Sequence, residues 1–206
     1  LWSDEFDGSA GDSVNPKFWN FDLGDGTSVG IPGWGNQERE WYLAEQAKLS
    51  GNSELVITAE RNQDANAYPA YYGEPAEWLS AKLTTKGKVE VQFGRIEARV
   101  KIPSGAGTWP AFWMLGTDIT SVGWPSSGEI DIMEGKSSSL VSGAIHWSNS
   151  GNDAYAYANH PGDNFTNDFH VYKLYWLENF IALYVDDVKI LERTNTTMDQ
   201  PGAWAF

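Results

Sequence analysis

The sequence predicts an all-β sandwich, and three observations carry that prediction. Short runs of alternating apolar and polar residues recur between residues 55 and 191. Clusters of Gly, Pro, Asn and Asp separate them, as at residues 24–35 and 62–77. Neither an internal repeat nor a linker divides the chain, and 206 residues suit a single domain, 1–206, with a substantial core.

The first element in chain order points the other way. Residues 37–49 are rich in good helix formers, and propensity alone predicts a helix there. Residues 55–59 (Leu-Val-Ile-Thr-Ala) and 89–93 (Val-Glu-Val-Gln-Phe) then predict strands. Residues 94–102 split by parity: Ile96, Ala98, Val100 and Ile102 form an apolar face, and Arg95, Glu97, Arg99 and Lys101 a charged one. A core face with an ordinary solvated face accounts for that split. Trp109 and Trp113, four residues apart, share a face in an undisturbed strand, whereas Phe112 and Leu115 suit a core. Residues 172–176 and 181–185 predict two further strands, and Asp186-Asp187 a turn into residues 188–191.

The chemistry concentrates in Gly128-Glu129-Ile130-Asp131-Ile132-Met133-Glu134-Gly135. In a regular strand Glu129, Asp131 and Met133 share one face, which turns Glu134 into the core. An unpaired carboxylate there is costly. A β-bulge near Met133 restores the parity and sets all three acids on one surface. Two carboxylates roughly 5–5.5 Å apart can cleave a glycosidic bond with retention, one attacking the anomeric carbon and the other protonating the departing oxygen. Crowding of negative charge raises at least one of their pKa values. On spacing alone, a solvated acidic strand edge or a calcium site fits equally well.

Composition narrows the partners. Lys and Arg number 14 against 28 Asp and Glu, a net charge of −14, which disfavours nucleic acid, anionic membranes and heavily sulfated polysaccharides. A neutral glycan fits better, and eleven Trp suit a sugar-binding surface as well as a core. With no cysteine there is no disulfide framework and no thiol chemistry. His146, His160 and His170 lack metal-ligand spacing, which argues against catalytic zinc. The sequence opens at Leu1 with no initiator Met, signal peptide or membrane-length apolar run, and reads as a trimmed domain.

Five segments resemble glycoside hydrolase family 16. Glu-Ile-Asp-Ile-Met-Glu at 129–134 matches its Glu-x-Asp-x-x-Glu signature in the bulged, laminarinase-like version. Gly94-Arg95-Ile96-Glu97-Ala98-Arg99 and the run from Gly107 to Gly116 through Trp109-Pro110-Ala111-Phe112-Trp113 are similar to the family, as are Trp2-Ser3-Asp4-Glu5-Phe6-Asp7-Gly8 and Ile145-His146-Trp147. The resemblance implies a jelly-roll, concanavalin A-like sandwich with a concave cleft. It implies endo-hydrolysis of β-1,3-glucan, or of mixed-linkage β-1,3/1,4-glucan, by a secreted monomer with no catalytic cofactor. Glu129 would be the nucleophile, Glu134 the acid/base, and Asp131 the residue that positions Glu129. Asn36, Arg95, Trp109, Trp113, Trp124 and His146 would bind substrate, with His146 beside the acid/base. The family likeness also makes residues 37–49 extended rather than helical, and suggests a structural calcium on Glu5 and the Gly51 carbonyl. Gly202-Ala203-Trp204-Ala205-Phe206 ends the sequence where the family continues into about two more strands. A non-catalytic lectin-like sandwich, or the same chemistry on a red-algal galactan, are the alternatives.

Overall fold

The computed structural model describes residues 1–64, 66–162 and 164–194. The chain divides into two compact units, Leu1–Val89 and Glu90–Phe206. The first is built of short strands: β1 (Asn20–Asp22), β2 (Glu40–Tyr42), β3 (Ala47–Leu49), β4 (Leu55–Ile57), β5 (Glu60–Arg61), β6 (Trp78–Ser80) and β7 (Lys82–Thr84). They pair as β1–β7, β3–β4 and a three-stranded sheet β2-β6-β5.

No helix forms over residues 37–49: Gln37 sits in a left-handed turn (φ 59°), and the rest is extended apart from one short 3-10 turn at Ala44–Gln46 between β2 and β3. Helix propensity loses here to pairing: Glu40–Tyr42 lies parallel to Trp78–Ser80, and Ala47 and Leu49 are buried with Lys48 between them, a period of two. The strand expected at residues 89–93 does not form. Phe93 adopts a left-handed backbone (φ 66°), which no strand accommodates, and its ring packs edge-on to Trp176 at 5.1 Å. The strands expected at 55–59 and 94–102 are shorter than predicted, ending at Ile57 and Val100.

The second unit is the sandwich. Its strands are β8 (Gly94–Val100), β9 (Ala111–Leu115), β10 (Glu129–Ser137), β11 (Leu140–Asn149), β12 (Asn152–Pro161), β13 (His170–Leu177), β14 (Phe180–Val185) and β15 (Val188–Thr194). One antiparallel sheet runs β12-β11-β10-β9 and the other β15-β14-β13-β8. The expected Asp186-Asp187 turn joins β14 to β15, and both residues have positive φ; Ser150-Gly151 joins β11 to β12 in the same way. Ile130, Ile132, Val141, Ile145 and Trp147 from the first sheet meet Tyr172, Leu174, Ile181, Leu183 and Leu191 from the second in one core. The sheets come so close at Gly143 that a Cβ there would lie 2.7 Å from Leu183 Cδ1. Residues 202–206, where the family's further strands were expected to begin, lie outside the described residues.

Candidate active site

The carboxylates owe their placement to one extra residue. Asp131 stands opposite Trp113 on β9 and Ala144 on β11, and Glu134 opposite Ala111 and Ser142. β10 thus advances three residues where each neighbour advances two, so a β-bulge lies at Ile132-Met133 as expected. Ile132 and Met133 are both fully buried, 0% and 1% exposed, and Glu134 returns to the face that carries Glu129 and Asp131. Gly135 lets the neighbouring strand's loop come close. A Cβ at that position would fall 2.6 Å from Pro110 Cγ, and the Gly135 N–H donates to the Pro110 carbonyl at 2.8 Å. The close approach sets Trp109 beside the acid.

Each glutamate has its own indole donor. Trp109 Nε1 donates to Glu134 Oε1 at 2.7 Å, and Trp124 Nε1 to Glu129 Oε2 at 2.7 Å. Lys136 Nζ also donates to Glu134 Oε1, at 3.1 Å, and lies 5.2 Å from the centre of the Trp109 ring. Ser142 Oγ reaches the other oxygen, Oε2, at 3.4 Å. Asp131 neighbours Glu129 on the same face of β10 and is 3.4 Å from His146 Nε2, whose Nδ1 lies 3.1 Å from Asp153. His146 is paired across the strands with Glu129 and next with Tyr155.

Burial pushes the Glu129 carboxyl up to about 8, and the neighbouring Asp131 charge and hydrogen bond push the same way; His146 and the Trp124 N–H only partly offset them. Burial works against a charged His146, but Asp131 and Asp153 outweigh it and raise the imidazole to about 9. Near neutral pH the Glu129–Asp131 pair therefore holds a proton beside an imidazolium.

The structure brings together Glu129, Asp131, Glu134, Trp109, Trp113, Trp124 and His146, all in the second unit. Trp113 is paired with Asp131 and is half-buried on the same face. His146 contacts Asp131 and pairs with Glu129, at the opposite end of the trio from Glu134, which corrects its expected place beside the acid/base. Arg95 is a second correction. It lies on β8, in the other sheet, and its neighbours Ile96 and Val100 pack into the core. Its side chain faces outward from the opposite surface of the sandwich and pairs with Glu97 at 3.4 Å. Asn36 belongs to the first unit, where it is exposed and ends the 3-10 turn Pro32–Gly35.

Sequence reasoning missed Lys136, Ser142, Asp153, Tyr155 and Tyr157. One signal was present: Asp153-Ala154-Tyr155-Ala156-Tyr157-Ala158-Asn159 alternates strictly, alanine inward and a polar or aromatic residue outward. For the metal, Glu5 is exposed and Gly51 sits in a left-handed turn against Ala10. Calcium takes six to eight oxygens, and no group of three or more potential metal-ligating side chains exists among the described residues. Glu5 and the Gly51 carbonyl supply two of those oxygens.

A β-sandwich with two indole-braced glutamates flanking an aspartate on one outward face defines a protein built around paired carboxylates, the arrangement of glycosidic-bond chemistry. The chain belongs to glycosyl hydrolases family 16, whose model matches residues 35–204. It is 35% identical over 204 residues to the glucan endo-1,3-beta-glucosidase A1 of Niallia circulans, covering 95% of this chain and 29% of that protein. It is 37% identical over 224 residues to the beta-glucanase of Rhodothermus marinus, covering 100% of this chain and 70% of that one. The laminarinase catalytic domain of Thermotoga maritima superposes with a TM-score of 0.82 at 40% identity, over 95% of this chain and 77% of that chain. The fold is thus the family's jelly roll, in a chain that spans under a third of the Niallia protein.

Proposed function

We propose that this chain is a retaining endo-β-glucanase that hydrolyses β-1,3-linked glucan. The observation that carries the reading is the bulge at Ile132-Met133, which puts Glu134 on the face of Glu129 with a separate donor for each. Glu129 attacks the anomeric carbon while Glu134 gives its proton to the departing oxygen; the glycosyl-enzyme ester is then opened by a water whose proton Glu134 takes. Glu129 attacks as a carboxylate, with its proton given up before the attack. The Trp124 N–H favours this form because it stabilises the ionised Glu129.

The β-1,3 linkage is supported by the names of the Niallia and Thermotoga relatives, and mixed-linkage β-1,3/1,4-glucan is the second substrate of the proposal. Polymeric glucans lie outside cells, which favours a secreted protein; a monomer acting as one catalytic domain completes the reading. Release of reducing ends from laminarin, lichenan, curdlan and agarose tests it. Laminarin cleavage with retained anomeric configuration is expected. Inverted products, or binding without cleavage, would overturn it.

A further inference from the structure

The outward face of the carboxylate sheet continues past β11 onto β12, the last strand of that sheet among the described residues. Three rows cross it. Glu129 is followed by His146 and Tyr155, Asp131 by Ala144 and Tyr157, and Glu134 by Ser142 and Asn159. The middle position of the last two rows is small and covered: Ala144 is 3% exposed and Ser142 0%. Tyr155 and Tyr157 stand beyond them at 65% and 43% exposure, large apolar surfaces left in water. The exposed rings of Tyr155 and Tyr157 thus stand along β12, with the covered Ala144 and Ser142 between that strand and Asp131 and Glu134.

The core does not require these rings, since Ala154, Ala156 and Ala158 supply the inward contacts of β12. Their surroundings order them. The Tyr155 ring lies 5.7 Å from that of His146 with 31° between the planes, and His146 lies 5.9 Å from Trp124, so the rings continue from the Glu129 donor to β12. Tyr157 Oη donates to Asn159 Oδ1 at 2.5 Å, which leaves the Asn159 amide N–H groups facing solvent as donors. Flat rings beside amide donors recognise a pyranose that presents C–H groups on its face and hydroxyls at its edge. A β-glucosyl unit, with every hydroxyl equatorial, does this on both faces; a galactosyl unit carries an axial hydroxyl on one.

We propose that Tyr155, Tyr157 and Asn159 form an outlying subsite for a glucosyl unit of the bound chain, away from the bond being cleaved. The proposal rests on the glucanase reading above and adds where a longer chain gains affinity. Two strand spacings separate β12 from β10, about 10 Å, so a substrate just long enough to bridge the glutamates does not reach it.

Tyr155→Ala, Tyr157→Ala and the double variant would be assayed on laminarin and on the shortest laminari-oligosaccharide the wild type cleaves. Expected is a rise in KM for laminarin of roughly threefold to tenfold per ring, kcat within twofold, and no change on the short substrate. Tyr157→Phe, which keeps the ring, should retain most of the affinity, and melting temperatures check the fold of each variant. Equal KM values for wild type and double variant on laminarin would overturn the subsite. So would an equal loss on long and short substrates. A wild type that leaves laminarin uncut defeats the glucanase reading instead; calorimetric titration of laminarin into the wild type and the double variant then decides the subsite alone, with equal binding or none overturning it.

Discussion

The two sheets of the sandwich are alike in strand number and alternation, yet their outward faces differ in kind. On β15-β14-β13-β8 the charged groups pair locally in water: Arg95 with Glu97, Lys173 with Asp187, Lys189 with Glu192. Such surface pairs contribute little to stability, because water and salt screen them. On β12-β11-β10-β9 Asp131 and Glu134 are only 6% and 9% exposed; His146 reaches Asp131 from the next strand, Trp109 reaches Glu134 from a loop, and Trp124 reaches Glu129 from another. A polar face becomes a site when its charges are partly desolvated and individually hydrogen-bonded, because only there do proton positions matter. Alternation builds both faces; the bulge and the two indoles distinguish them.

The largest test removes the distinction. Deleting Ile132 and Met133 together leaves Glu134 directly after Asp131, so a regular β10 turns it toward the core; laminarin hydrolysis should be abolished, with a lower melting temperature from the buried carboxylate and the lost apolar contacts. Glu129→Ala should abolish turnover without that thermal loss, and azide should restore cleavage of an activated aryl glucoside with inverted configuration. No rescue would remove Glu129 as the nucleophile.

Trp109→Phe takes away one donor while keeping the ring. A hydrogen bond to a charged group contributes about 1.5–3 kcal/mol, so kcat/KM on laminarin should fall roughly tenfold to a hundredfold. A fall below twofold would mean that Glu134 does not need its indole.

The pH dependence of stability has a definite sign. Glu129 is raised to about 8 from an ordinary 4.5, and His146 to about 9 from 6.5, so both bind protons more tightly in the folded chain. Their stabilisation is complete below pH 4.5 and 6.5 respectively, and is lost as pH rises through 8 and 9. Melting temperature should fall between pH 5 and 9. Glu129→Gln should flatten the part below pH 8 and leave the part due to His146. A wild-type profile that climbs over this range would contradict the arrangement of the pair.

The smallest effect is the counterpart on the other sheet. Arg95→Ala should leave KM and kcat on laminarin within twofold, because its side chain looks out from the opposite surface.

Much of the site was legible because carboxylate parity is a local matter. The sequence around Met133 contains its own contradiction, a glutamate on the wrong side of a strand, and only a bulge resolves it without burying an unpaired charge. Arg95 was misplaced for the complementary reason. Parity states that Arg95 and Ile96 face opposite ways, but not which of two sheets the strand joins, and that depends on pairing with β13, where Arg95 meets Tyr175 eighty residues later. The extended course of residues 37–49 is likewise a non-local result. Tyr155 and Tyr157 were written in a clean alternation, but only the register of β11 against β12 aligns them with the acids.

The glycine after the second glutamate has a wider consequence. The separation between Gly135 and the Pro110 ring has no room for a methyl group, so the indole reaches its oxygen by virtue of an atom the chain lacks. Variant libraries that change only polar or aromatic positions would overlook this control point. An alanine there is expected to alter turnover more than unfolding, with the disturbance entering through the backbone of a proline that has no chemistry of its own.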